Sequence, residues 1–180
     1  MINNIEKIFY VLRLTRNMMQ INLPLLIFRD KFGEEIIVRP ILAKTGKKLV
    51  EMYETLSPDS RCLGLPPQSK RAIESWVDYL VKDGFSLVAE CGDRIVGHVA
   101  VIPTNCNNVE LTIFIHQDYQ NRGLGQFMLK QIIEFCRRAG FNGITLVTER
   151  KNVRAIRVYR KMGFRFMGDV CECDMYLPLS

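Results

Sequence analysis

Residues 109–126 read VELTIFIHQDYQNRGLGQ, and this stretch decides the fold. Val109 to Ile115 is a run of β-branched and aromatic residues with a single charge, Glu110, and it predicts a strand. Four residues later comes the turn Gln120-Asn121-Arg122-Gly123-Leu124-Gly125. A helical pattern follows at once: Leu124, Phe127, Met128, Ile132, Phe135 and Ala139 share a face, with Gly140 placed to end it. A strand that turns through glycines into a helix builds an anion site. Glycine lets backbone N–H groups converge, and the unpaired N–H groups and dipole of the new helix favour negative charge. The segment is a candidate diphosphate cradle. It is neither a P-loop, lacking a Gly-Lys-Ser/Thr ending, nor a dinucleotide fingerprint, lacking the third glycine. Plain chain reversal is the other use of an isolated Gly-x-Gly.

The next segment narrows the choice. Residues 144–148 predict a strand parallel to the first, since a helix separates the two. It leads to Asn152-Val153-Arg154-Ala155-Ile156-Arg157-Val158-Tyr159-Arg160-Lys161-Met162-Gly163-Phe164, a helix capped by Asn152 and closed by Gly163. Here the chain resembles the GNAT acyltransferases, the acetyl-CoA-dependent N-acetyltransferase superfamily. Gln120-x-x-Gly123-x-Gly125 is similar to that family's pyrophosphate motif, and Asn152…Ala155-Ile156…Tyr159…Gly163-Phe164 to its second cofactor motif. The resemblance spans roughly residues 34–177. It implies an α/β fold with a mixed sheet, helices on both faces, and the order β-α-α-β-β-β-α-β-α-β-β after an extra N-terminal helix. It also implies acetyl-CoA as co-substrate, with no metal. Ile113, Phe114 and Ile115 would offer main-chain hydrogen bonds to the pantetheine arm, in the manner of strand addition. Gln120, Asn121, Arg122, Gly123, Leu124, Gly125 and Gln126 would form the diphosphate turn, with Asn152 and Tyr159 completing the cofactor site.

Amine acetylation needs an uncharged nucleophile, and an ammonium with a pKa of about 10.4 must first lose a proton to a base within reach. Glu110 is the only acid on the motif strand and the candidate base; a salt bridge or a solvated strand face is the structural alternative. Tyr159 is the candidate general acid, returning a proton to the departing thiolate, with simple packing as its alternative. Asn152 lies seven residues before Tyr159, on the same helix face, and serves equally as an N-cap. The acceptor is expected to be a primary amine. Within the resemblance, the motif spacing, the sequence at residues 58–61 and Glu110 lean toward the branch that acetylates protein lysines, with small-molecule amines open and a non-catalytic acetyl-CoA-binding sensor or assembly module as the rival class.

Composition sets the outer bounds. A chain of 180 residues with 48% hydrophobic and 24% charged content suits one globular domain rather than wholesale disorder. The net charge of +6 suits an enzyme that holds a polyanionic cofactor. The basic residues are dispersed apart from a local density at residues 150–161, so no nucleic-acid arm is expected. Six cysteines fit no paired-ligand zinc spacing, and read as reduced thiols in a cytoplasmic protein. His98 and His116 are too few for a histidine-rich metal site, and His116 reads as a surface loop residue.

Ahead of the resemblance, Ile5, Ile8, Phe9, Leu12 and Met19 recur at helical spacing up to Pro24. Charges at Glu6, Lys7, Arg13 and Arg16 argue against a membrane span or signal peptide. Residues 1–33 are expected to form a helical arm that packs on its own domain or on a sister subunit in a homodimer, and residues 34–180 the transferase domain. Within the latter, residues 57–69 make a Ser/Pro/Gly-rich loop of the length that often lies over a binding site.

Overall fold

The computed structural model describes residues 24–42, 45–168 and 172–179. The helix expected over residues 5–19 lies outside them. The chain runs β1 (Leu26–Arg29), β2 (Glu35–Pro40), α1 (Gly46–Glu54), α2 (Lys70–Asp83), β3 (Phe85–Cys91) and β4 (Arg94–Pro103). It continues through β5 (Asn108–Ile115), α3 (Leu124–Arg138), β6 (Gly143–Glu149), α4 (Val153–Lys161), β7 (Arg165–Phe166) and β8 (Glu172–Pro178). One eight-stranded sheet results, in the order β1-β2-β3-β4-β5-β6-β8-β7. Every pairing is antiparallel except β5 with β6, where α3 supplies the crossover.

The sheet starts earlier than the expected boundary at Gly33 and Glu34. Leu26–Arg29 pairs along its whole length with β2. The turn between them is made by Asp30, whose carboxylate accepts from the N–H groups of Phe32 (2.8 Å) and Glu34 (2.9 Å). Arg122 then ties the same aspartate to the turn before α3, at 2.9 Å.

Alternation along β5 divides the core. Val109 and Leu111 belong to the larger apolar cluster, with Leu124, Met128, Ile132 and Phe135 of α3. Phe114 points to the opposite face and joins Tyr53 and Trp76 under α1 and α2, with ring centroids 5.6 and 5.9 Å away. Helices therefore cover both faces of the sheet. The caps are local: Ser69 Oγ accepts from the Ala72 N–H at the start of α2, and Asn152 Oδ1 from that of Ala155 at the start of α4. His116 departs from its surface reading. It is buried, and its Nδ1 accepts from the Asp118 N–H at 3.4 Å, so it organises the turn after β5.

Candidate active site

β5 and β6 are in register for only three residues, Asn108–Glu110 against Gly143–Thr145. Beyond Glu110 they diverge, while β5 stays paired with β4 to its end. The His116 N–H bonds to the Val96 carbonyl, so by antiparallel alternation the main-chain groups of residues 110, 112 and 114 engage β4. Those of Leu111, Ile113 and Ile115 turn to the opening. Of the expected main-chain trio, Ile113 and Ile115 face the gap and Phe114 does not. The Ile115 carbonyl is already taken by Gln120 Nε2 at 2.9 Å.

The opening is a cleft of about 300 Å³ whose lining includes Glu110, Ile113, Phe114, Ile115, Gln120, Asn121, Gly123, Gly125, Gln126, Asn152 and Tyr159. It ends on the start of α3. Gly123 stands at φ 90° and Asn121 at φ 59°, the left-handed values that let the chain double back into the helix. No side chain caps α3 and no acid occupies its first turn. The first intrahelical bond there is donated by Phe127 to the Gly123 carbonyl, so the N–H groups of Leu124, Gly125 and Gln126 have no intrahelical acceptor. This is an uncompensated positive helix end, open to an anion.

Two residues of the expected turn send their side chains elsewhere. Leu124 is wholly buried in the core. Arg122 reaches away from the cleft to Asp30 (2.9 Å) and Glu34 (2.8 Å), and stacks on Tyr119 with 4.5 Å to the ring centroid. Only their main chains remain available to a ligand. Burial works against the Asp30 carboxylate, yet the Arg122 hydrogen bond, the N–H groups of Glu34 and Phe32 and the Arg122 charge hold it below its ordinary range.

Glu110 is exposed at the point where the β5–β6 pairing ends, and no hydrogen bond or ion pair holds it among the described residues. Tyr159 is 8% exposed, with its ring 5.8 Å from that of Phe164. Its hydroxyl bonds to none of the described residues. Burial, with a smaller contribution from Cys62, pushes its pKa well above the ordinary phenol value.

The loop over residues 57–69 closes the cleft's other side, as expected of it, but sequence reasoning assigned none of its contacts. Arg61 donates to the carbonyls of Pro66, Pro67 and Tyr53, Gln120 to Ser60 Oγ (3.1 Å), and the Leu63 N–H to Glu149 (3.0 Å). Cys62 and Thr148 also line the cleft, 3.8 Å apart. The Ser/Pro/Gly composition marked the loop, but partners 60 to 86 residues away leave no local pattern.

Residues 49–164 match the model of the acetyltransferase (GNAT) family. The chain belongs to the GNAT family. Among curated proteins, N-acetyltransferase family 8 member 2 of Rattus norvegicus is 29% identical over 96 residues, covering 50% of this chain and 42% of the relative. The uncharacterized protein YdhI of Bacillus subtilis (strain 168) is 34% identical over 86 residues, covering 47% and 51%. The chain spans about half the length of the curated relatives it matches. Among solved structures, the GNAT domain of S. lividans PAT superposes with a TM-score of 0.74 at 18% identity, covering 87% of this chain and 99% of that one. The yncA protein of Salmonella typhimurium, solved with its cofactor acetyl-CoA, gives 0.67 at 18%, covering 81% and 94%. These likenesses show the GNAT fold. Among the described residues no helix is long and apolar enough to cross a membrane, and no group of three acidic, histidine or cysteine side chains is arranged to hold a metal.

Proposed function

We propose that this GNAT protein transfers the acetyl group of acetyl-CoA to a primary amine by direct attack within a ternary complex. The observation that carries the reading is the gap between β5 and β6, which ends on an uncapped helix start. An extended pantetheine arm fits the free main-chain edge at Ile113 and Ile115, and a diphosphate fits the N–H groups of Leu124, Gly125 and Gln126. Gly125 supports that fit. A β-carbon at this position would stand 3.5 Å from Ile115 Cγ1, so the first turn lies close against the strand end.

In this reading Glu110, unpaired at the apex, takes the proton from the amine directly or through water, and the amine attacks the thioester carbonyl. As the carbon–sulfur bond breaks, Tyr159 gives its proton to the leaving thiolate. The phenol is protonated at neutral pH, and its hydroxyl can hydrogen-bond the sulfur as negative charge builds there. The sheet from Leu26 onward would form one catalytic domain. The amine itself is set by the loop over residues 57–69, whose Asp59, Ser60, Arg61, Cys62, Leu63 and Leu65 line the cleft. The test is release of coenzyme A thiol from acetyl-CoA across a panel of lysine peptides, amino acids and small amines. Tight acetyl-CoA binding without thiol release for any acceptor would favour the sensor reading.

A further inference from the structure

We propose that Cys62 is a site of reversible modification by coenzyme A, its thiol taking the cofactor's sulfur as a mixed disulfide that shuts the cleft to acetyl-CoA. This rests on the reading above, which brings the cofactor's sulfur to the part of the cleft that Tyr159 lines. Cys62 is held there by the main chain. Its N–H and carbonyl bond to the carbonyl and N–H of Leu65, both at 2.9 Å, in the loop clamped by Arg61. The sulfur stands 3.8 Å from Thr148 Oγ1 on β6, across the opening from β5. Tyr159 is the second observation. It is more than nine-tenths buried, its hydroxyl has no partner among the described residues, and it lines the same cleft. A phenol so placed awaits a ligand atom, and Cys62 lines the same cleft.

The other described cysteines differ in kind. Cys136 is buried in the core, where burial pushes its thiol up to about 12. Cys91 bonds to Glu34 at 3.2 Å, behind the turn before α3. Cys106 is exposed on the β4–β5 connection. Only Cys62 of these four lines the cleft.

The step is thiol–disulfide exchange with coenzyme A disulfide as oxidant. The Cys62 thiolate attacks one sulfur, the Cys62–sulfur bond forms as the disulfide bond breaks, and the second coenzyme A leaves as a thiolate that takes a proton from water. Dithiothreitol reverses it. Because the retained coenzyme A occupies the substrate's own cradle, modification and acetyl-CoA binding exclude each other.

The experiment exposes the full chain to coenzyme A disulfide and follows each cysteine by peptide mass mapping. Cys62 should be labelled at least about tenfold faster than Cys106, because the cradle holds the reagent in place. Saturating acetyl-CoA should slow labelling of Cys62 about tenfold and leave Cys106 unchanged. Oxidised glutathione, which has no such hold, should lose the preference. Acetyl transfer should fall in proportion to the labelled fraction and return on reduction, and Cys62→Ser should remove the adduct. Equal rates at Cys62 and Cys106, or labelling of Cys62 that acetyl-CoA does not slow, overturns the proposal. The competition uses unaltered protein, so it decides even if Cys62→Ser fails to fold. Calorimetry separates the two readings: if acetyl-CoA does not bind, both fall, and if it binds while Cys62 stays free, only this one does.

Discussion

Gly123 and Gly125 share a motif for different physical reasons. Gly123 holds a left-handed backbone, so Gly123→Ala should cost about 1–2 kcal/mol of stability in a urea titration. Gly125 sits in ordinary helical backbone, and an added methyl would make only van der Waals contact with Ile115. Gly125→Ala should therefore fold with undiminished stability and show its effect in calorimetry, as weaker acetyl-CoA binding. Equal losses of stability in both variants would contradict this division. Tyr159 and Glu110 should separate in the same way. Tyr159→Phe removes a hydroxyl that bonds to no described residue, so stability should change by less than about 0.5 kcal/mol while turnover falls roughly 10²–10⁴-fold. Glu110→Gln should lower turnover with little effect on cofactor affinity, and the loss should shrink at high pH, where the amine deprotonates unaided. Wild-type turnover in either variant, measured where chemistry is rate-limiting, would remove that residue from the mechanism.

At the scale of elements, the β1–β2 hairpin and the start of α3 are one unit joined by Arg122. Arg122→Ala leaves the Asp30 carboxylate without its cation in a buried site, and the melting temperature should drop. Asp30→Asn in the same chain should recover much of the loss. Additive effects in that double-mutant cycle would deny the coupling. This ion pair also marks where sequence reading stops. β5, α3 and the capped α4 are legible because each carries its own period and its own end signal within a few residues. β1 has four residues, three apolar ones and Arg29, too few to show a period, and its partner is fixed by a turn that Asp30 builds. The glycine turn shows in its spacing and Glu110 as the one acid of its strand, while Tyr159 stands out through the resemblance to the GNAT motif. The Gln120–Ser60, Leu63–Glu149 and Cys62–Thr148 contacts could not be located, because a contact between distant segments has no signature in either one.

Across the whole molecule, acid should act first through His98. It is fully buried against Tyr53, with 2.6 Å from the hydroxyl to Nδ1, and its Nε2 has no partner. Burial lowers its pKa to about 3, against an ordinary value of 6.5. A depressed folded value means that the unfolded chain binds the proton first. The contribution to stability is thus complete above pH 6.5 and is lost as pH falls toward 3, reaching a few kcal/mol. Chemical denaturation between about pH 4.5 and 6.5, above the range where carboxylates titrate, should show this slope, and His98→Gln should flatten it. A slope unchanged by that substitution would assign it elsewhere.

The three-residue seam between β5 and β6 makes the sheet two wings, β1–β5 and β6–β8–β7, hinged at one end. That end is laced by Asn142, whose side chain donates to the Cys106 carbonyl (3.0 Å), whose N–H donates to the Asn107 carbonyl (2.8 Å) and whose own carbonyl accepts from Leu179 (2.9 Å). The far end is joined across the cleft by side-chain contacts, Arg154 to Asn121 Oδ1 (3.4 Å) and the Leu63 N–H to Glu149 (3.0 Å), so the architecture is that of a clothes-peg with lightly held jaws. Force applied to β8 should reach the cleft as a change in the gap between the jaws, and the stiffness of the Asn142 hinge should govern how fast a spent coenzyme A escapes. Asn142→Ala, more than any substitution at the cleft mouth, should then speed product release without touching a residue that binds it.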